Sequence, residues 1–297
     1  MRVAAVDLGT NTTRLLVADV ENGRLSEVHR ETRITRLGEG VDARRRLLPV
    51  PIARVRNVLS DYRRTLESLG AERTLAVATS AVRDAENGEA FLGEIEWGYG
   101  FSTRLLDGDE EAELTRRGVD PPEGTLVVDI GGGSTELVLD DFHTSLPMGS
   151  VRFTERYGEH VDRCGEEARG LLPELTPNAA IGVAGTATTL AALDLGLDEY
   201  DRERVHGHVL ARERARVHLR LLAALSLDER RALPAMEPER ASVIVAGAAI
   251  LVAVLDTYEL EEIGVSERDL LDGAALAAAE LPVSSEGDAP PGAYTCC

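Results

Sequence analysis

Val6-Asp7-Leu8-Gly9-Thr10-Asn11-Thr12-Thr13-Arg14-Leu15-Leu16-Val17 aligns without a gap on Val128-Asp129-Ile130-Gly131-Gly132-Gly133-Ser134-Thr135-Glu136-Leu137-Val138-Leu139, 122 positions further along. Each copy reads as a buried strand ending in an aspartate, a tight turn of small residues, and a second apolar strand. A hairpin tip of this kind can aim backbone N–H groups at an anion, because glycine admits the conformations that bring them together. Two copies imply two related halves acting on one phosphate-bearing ligand.

Outward from the repeat, strands and helices alternate, the pattern of a two-lobed α/β protein. Strands are expected at 3–6, 13–18, 25–33, 74–78 and 101–106, with a helix over 51–69 closed by Gly70. An acidic helix follows at 109–116. Gly118 to Gly124, with Pro121 and Pro122, reads as the boundary between halves. The order then restarts with strands at 126–129 and 135–139 and a polar helix from Ser150. Next come a strand at 180–183, helices at 211–225 and 240–255, and a strand at 262–265. Ser266 and Asp269 form a capping-box pattern for a last helix.

Composition limits the function. The chain has 297 residues and a formal net charge of −20, which argues against a general nucleic-acid-binding surface. That charge also opposes a polyanionic ligand, so a divalent cation and locally placed arginine are expected to offset it. The chain has no lysine. A Walker-type phosphate loop and a Schiff-base lysine are thereby excluded. Phosphate has to be held by backbone amides, hydroxyls, arginine or metal. Arg2 leads straight into a strand rather than an apolar signal region, and the apolar run 243–255 is too short to span a bilayer. A cytoplasmic protein is expected. Cys164 is isolated, and Cys296-Cys297 end a polar tail of disordered composition.

Asp129-Ile130-Gly131-Gly132-Gly133-Ser134-Thr135-Glu136 is the densest motif. Its glycines permit an amide nest, Ser134 and Thr135 add hydroxyls, and Asp129 with Glu136 suits a Mg²⁺ completed by water and phosphate oxygens. A plain glycine-rich tip would read the same in isolation. In the first copy Asp7 matches Asp129, but Arg14 stands where Glu136 does, offering a guanidinium for phosphate. Asp107-Gly108-Asp109-Glu110-Glu111 reads on composition as a solvated helix start, where carboxylates are favoured. Arg83 lies near a strand end, and Gly185-Thr186 opens a helix as a third candidate phosphate turn. His206 and His208 would share a strand face without further ligand spacing.

These pieces together resemble the exopolyphosphatase/guanosine-pentaphosphate phosphohydrolase family of the actin/sugar-kinase superfamily. The resemblance rests on Asp7-Leu8-Gly9-Thr10-Asn11-Thr12 with Arg14, Ala78-Thr79-Ser80-Ala81-Val82-Arg83-Asp84-Ala85, Gly108-Asp109-Glu110-Glu111-Ala112, and the Asp129 to Glu136 motif. It continues through Met148-Gly149-Ser150-Val151-Arg152, Gly185-Thr186-Ala187-Thr188-Thr189 and Glu239-Arg240-Ala241-Ser242-Val243-Ile244 to Val265-Ser266-Glu267-Arg268-Asp269-Leu270. One departure is Asp107, where family members often carry serine.

The resemblance implies an α/β fold of two ribonuclease-H-like (actin-like ATPase) domains with an interdomain cleft, in the short two-domain form. Residues 1–119 plus 267–281 would form one lobe, 120–266 the other, and 282–297 a disordered tail. By the same resemblance Glu111 is the catalytic base, and Asp129 and Glu136 bind Mg²⁺ (or Mn²⁺) and water. Gly131, Gly132, Gly133 and Ser134 hold the terminal phosphate. Asp7, Gly9, Thr10, Asn11, Arg14, Arg83, Gly185 and Thr186 complete the substrate contacts, with Arg36 and Arg152 as further arginines. The implied reaction is in-line attack of water on the end of inorganic polyphosphate. Guanosine pentaphosphate hydrolysis, a non-catalytic polyphosphate or alarmone sensor, and a kinase are the alternatives. No nucleic-acid or membrane partner is expected, and a homodimer is compatible with the family.

Overall fold

The computed structural model describes residues 1–282; the tail expected at 282–297, with Cys296 and Cys297, lies outside the described residues from 283 onward. The chain divides into two compact units, Met1–Asp107 with the segment from Leu271, and Gly108–Leu270.

In the first unit, β1 (Arg2–Leu8), β2 (Thr12–Glu21), β3 (Arg24–Ile34), β4 (Arg73–Ala78) and β5 (Ser102–Leu105) form one sheet in the order β3-β2-β1-β4-β5. The unbroken apolar run of β1 suits a central strand covered on both faces. The charged, largely exposed β3 suits an edge, where such side chains discourage pairing with other chains. β1 runs antiparallel to β2 and parallel to β4. The parallel return needs a crossover, supplied by the helix Pro49–Leu69. Val55, Leu59, Tyr62 and Leu66 recur at helical spacing and are buried, and the Tyr62 hydroxyl donates to the Thr13 carbonyl at 2.9 Å. Gly70, at φ 70°, ends the helix in the left-handed cap that glycine favours.

The second unit repeats this plan. β6 (Thr125–Ile130), β7 (Thr135–Leu139), β8 (Phe142–Leu146), β9 (Ala179–Val183), β10 (Val209–Ala211) and β11 (Glu262–Val265) are ordered β10-β11-β9-β6-β7-β8. β6, β7 and β8 form an antiparallel meander, and β9 and β11 extend it in parallel, matching β1 to β5 in direction; β10 is added antiparallel at the edge. The helix Ile244–Thr257 is apolar on every side and is the centre of the larger core, packed against the helices Val161–Leu171 and Arg212–Ala224.

Three expectations differ from the structure. The acidic helix Gly108–Val119 packs on β7 and β8 and so belongs with the second unit, although the Gly- and Pro-rich stretch follows it. Ser266 does not cap the last helix, which runs Leu270–Ala278; its hydroxyl closes a local turn with Arg268 instead. His206 and His208 do not share a strand face. His206 ends the helix Arg202–Val205 and accepts from the Glu267 amide, while His208 meets Asp194 just before β10. Among the described residues no helix is long and apolar enough to cross a membrane.

Candidate active site

The glycine turn between β6 and β7 owes its shape to the segment after β8. The Ser150 amide donates to Gly131 O at 3.0 Å, and those of Val151 and Arg152 donate to Gly132 O at 2.8 and 3.0 Å. Arg152 Nε donates to Gly133 O at 2.6 Å. Three successive carbonyls are thus drawn to the first turn of the helix Ser150–Tyr157. A trans peptide points its C=O and the next N–H in opposite directions. The amides of Gly132, Gly133 and Ser134 are therefore turned to the other side together, the arrangement that binds a phosphate oxygen. Gly149 makes the approach possible, since a Cβ there would lie 2.4 Å from Gly132 O.

The turn between β1 and β2 is built the same way. Gly38 N donates to Thr10 O at 2.8 Å, and Thr35 N and Arg36 N donate to Asn11 O at 3.0 and 2.9 Å. The loop after the third strand again takes the carbonyls, and the amides of Asn11 and Thr12 turn away from it. Gly38 is the counterpart of Gly149: a Cβ would meet Thr10 Cγ2 at 2.3 Å. Gly9 N closes the turn on Thr12 O, and the buried Thr10 and Ser80 hydroxyls hydrogen-bond at 3.0 Å.

The two copies part at one register position. Asp7 stands opposite Arg14, and Asp129 opposite Glu136. Arg14 Nε and Nη2 both reach Asp7 Oδ2 at 2.8 Å, so this partly buried guanidinium forms an ion pair with Asp7. Asp129 and Glu136, 7% and 2% exposed, are instead a like-charge pair across two strands, unfavourable on its own. Ser145 on β8, opposite Glu136, donates its hydroxyl to Glu136 Oε1 at 2.7 Å. The helix carrying Glu111, 6% exposed, packs against β7 and β8. The candidate base and both candidate metal carboxylates therefore lie in one unit.

Two carboxylates, hard oxygen donors, fit a Mg²⁺-type ion that keeps water and takes phosphate oxygens. Among the described residues no group of three or more His, Cys, Asp or Glu could hold a metal by itself.

The remaining sequence candidates are distributed more widely. Arg83 Nη1 donates to Leu106 O at 2.7 Å, at the end of β5. Arg36 has a left-handed φ of 50° where its amide meets Asn11. Gly185 lies under the Arg240 guanidinium, whose Nη1 would be 1.3 Å from a Cβ at that glycine, and Thr186 is buried against Gly247. Ser145, Gly38 and Gly149 went unassigned in the sequence. The one local signal was a glycine just beyond the third strand of each copy.

The family model for the Ppx/GppA phosphatase family matches residues 16–280. Exopolyphosphatase 2 of Mycobacterium tuberculosis is 40% identical over 316 residues, covering 94% of this chain and 98% of that one. A Ppx/GppA family member of Aquifex aeolicus has a similar crystal structure, with a TM-score of 0.79 and 31% identity over 94% of this chain and 98% of the other. An exopolyphosphatase from Cytophaga hutchinsonii reaches a TM-score of 0.86 at 25% identity, over 96% and 100%. The fold is that of the Ppx/GppA structures, here two α/β units that each carry a small-residue turn between their first two strands. The chain belongs to the Ppx/GppA phosphatase family.

Proposed function

We propose that the chain is an exopolyphosphatase, a phosphoanhydride hydrolase that releases orthophosphate from the end of inorganic polyphosphate. The observation that carries this reading is the carbonyl-anchored turn, which presents the amides of Gly132, Gly133 and Ser134 together in the unit that also holds Glu111, Asp129 and Glu136. Those amides hold the equatorial oxygens of the terminal phosphoryl group, where charge develops as the P–O bond breaks. Glu111 orients the attacking water and takes its proton. Asp129 and Glu136 hold the cation; when bound, Mg²⁺ supplies Lewis-acid neutralisation of phosphate charge. The first unit's turn, with the amides of Asn11 and Thr12, is a second phosphate cradle. There Arg14 neutralises the buried Asp7, so that the cradle does not repel an anion.

Orthophosphate release from short polyphosphate, long polyphosphate and guanosine pentaphosphate, measured side by side with Mg²⁺, tests the assignment. Release from polyphosphate at the higher kcat/KM supports it. Release from guanosine pentaphosphate alone would transfer the function to the nucleotide, and binding without turnover would make the chain a sensor.

A further inference from the structure

Ser145 belongs to none of the motifs that mark this site, yet two parts of the machinery meet on it. On β8 it stands directly opposite Glu136 of β7, so both side chains share one face of the sheet. A carboxylate only accepts, so the 2.7 Å contact is a hydroxyl donating to Glu136 Oε1. On its other side, Ser145 supports the first turn of the helix Gly108–Val119. A Cβ built on Gly108 would lie 2.7 Å from Ser145 Cβ and 3.6 Å from its Oγ. No larger residue fits at position 108 while the helix rests there. Glu111 lies within the same first turn. An exposed contact joins the same two elements: His143, two residues earlier on the same face of β8, reaches Asp109 with its Nε2 at 3.2 Å from Oδ1.

The geometry points to Ser145 as a positioning residue for hydrolysis, holding the Glu136 carboxylate by one oxygen while its side chain sets where the Glu111 helix begins. The inference rests on the roles proposed for Glu111 and Glu136. The Ser145 hydroxyl orients the carboxylate toward the cation and does not touch substrate. Outer-shell partners of metal carboxylates affect affinity or activity by about 10–100-fold when removed. Ser145→Ala is therefore expected to lower kcat about 10-fold or more while leaving KM for polyphosphate within about twofold.

The test measures orthophosphate release with Mg²⁺, and Mn²⁺ binding by electron paramagnetic resonance, for the wild type, Ser145→Ala, Glu136→Ala and the double variant. Ser145→Ala should weaken Mn²⁺ binding by about 10-fold when Glu136 is present, and by nothing further when it is Ala. A merely structural serine would cost the same in both backgrounds, and that outcome overturns the inference. An active wild type matched by Ser145→Ala in kcat and Mn²⁺ affinity overturns it alone. A wild type that releases no orthophosphate overturns the functional reading and this inference with it. Should Ser145→Ala fail to fold, Ser145→Cys, close in size and a weak donor, is held to the same outcomes.

Discussion

Gly149→Ala isolates the buttress that shapes the glycine turn. The backbone at Gly149 is extended, with φ −149° and ψ 159°, so an L-residue meets no conformational penalty. The added methyl would instead fall 2.4 Å from Gly132 O. Relief to ordinary carbon–oxygen contact needs a shift of about 1 Å or more. Moved by that much, the amide contacts of Ser150, Val151 and Arg152, now 2.8 to 3.0 Å, pass beyond useful hydrogen-bond length. Overpacking of this kind costs about 1–3 kcal/mol, and each weakened backbone bond adds up to about 1 kcal/mol. A net loss of about 2–4 kcal/mol is expected, read as a lower urea midpoint at unchanged slope. Displacement of a phosphate-binding group by about 1 Å should also lower kcat/KM on polyphosphate by about 100-fold. Gly170→Ala is the control: it lies in the helix Val161–Leu171 with nothing within 4 Å of its Cβ, and should be neutral or slightly stabilising. If Gly149→Ala matched the wild type in both urea midpoint and kcat/KM, the buttress reasoning would fail.

Arg14→Ala removes the guanidinium that pairs with the buried Asp7 carboxylate and should cost about 3 kcal/mol by urea denaturation; an unchanged midpoint would mean that Arg14 is not needed to neutralise Asp7. Asp194, at the end of the helix Ala184–Asp194, tests the pH dependence of the second unit's stability. Burial pushes its carboxyl up, but hydrogen bonds with Arg214, His218 and His208 outweigh burial and hold it below the ordinary 3.8. A depressed folded value means that its stabilisation is complete above the unfolded value and is lost as pH falls through the folded one. Asp194→Asn should therefore melt lower than the wild type near neutral pH, with the gap closing in strongly acidic buffer. A gap independent of pH would refute that sign.

The duplicated hairpin is legible in sequence because apolar runs at 3–6 and 126–128 each lead into an aspartate and a turn of small residues, a local pattern that needs no partner. Most strands and long helices follow from the same periodicities. The features that escaped notice depended on partners distant along the chain. β8 is a half-exposed edge strand whose Phe142-His143-Thr144-Ser145 alternation gives no clear apolar face, so Ser145 was invisible as a neighbour of Glu136. Gly38 and Gly149 look like ordinary loop glycines until Thr10 and Gly132 are seen against them. The Gly118 to Gly124 stretch carries the turn residues of a boundary. Packing of the preceding helix on β7 and β8 draws that helix into the second unit, a tertiary preference that composition does not express. Ser266 carried a capping pattern, but its hydroxyl found a nearer backbone partner. Arg14 showed the right charge in the right register; that Asp7 holds it became visible only with both strands in place.

The most direct test is orthophosphate release from polyphosphate with Mg²⁺ by Glu111→Gln, a change that keeps size and removes the proton acceptor. Loss of a positioned general base should lower kcat by about 10²–10⁴-fold, with polyphosphate binding by the folded variant retained. Release at the wild-type rate would show that Glu111 is not the base and would contradict the mechanism proposed for the second unit.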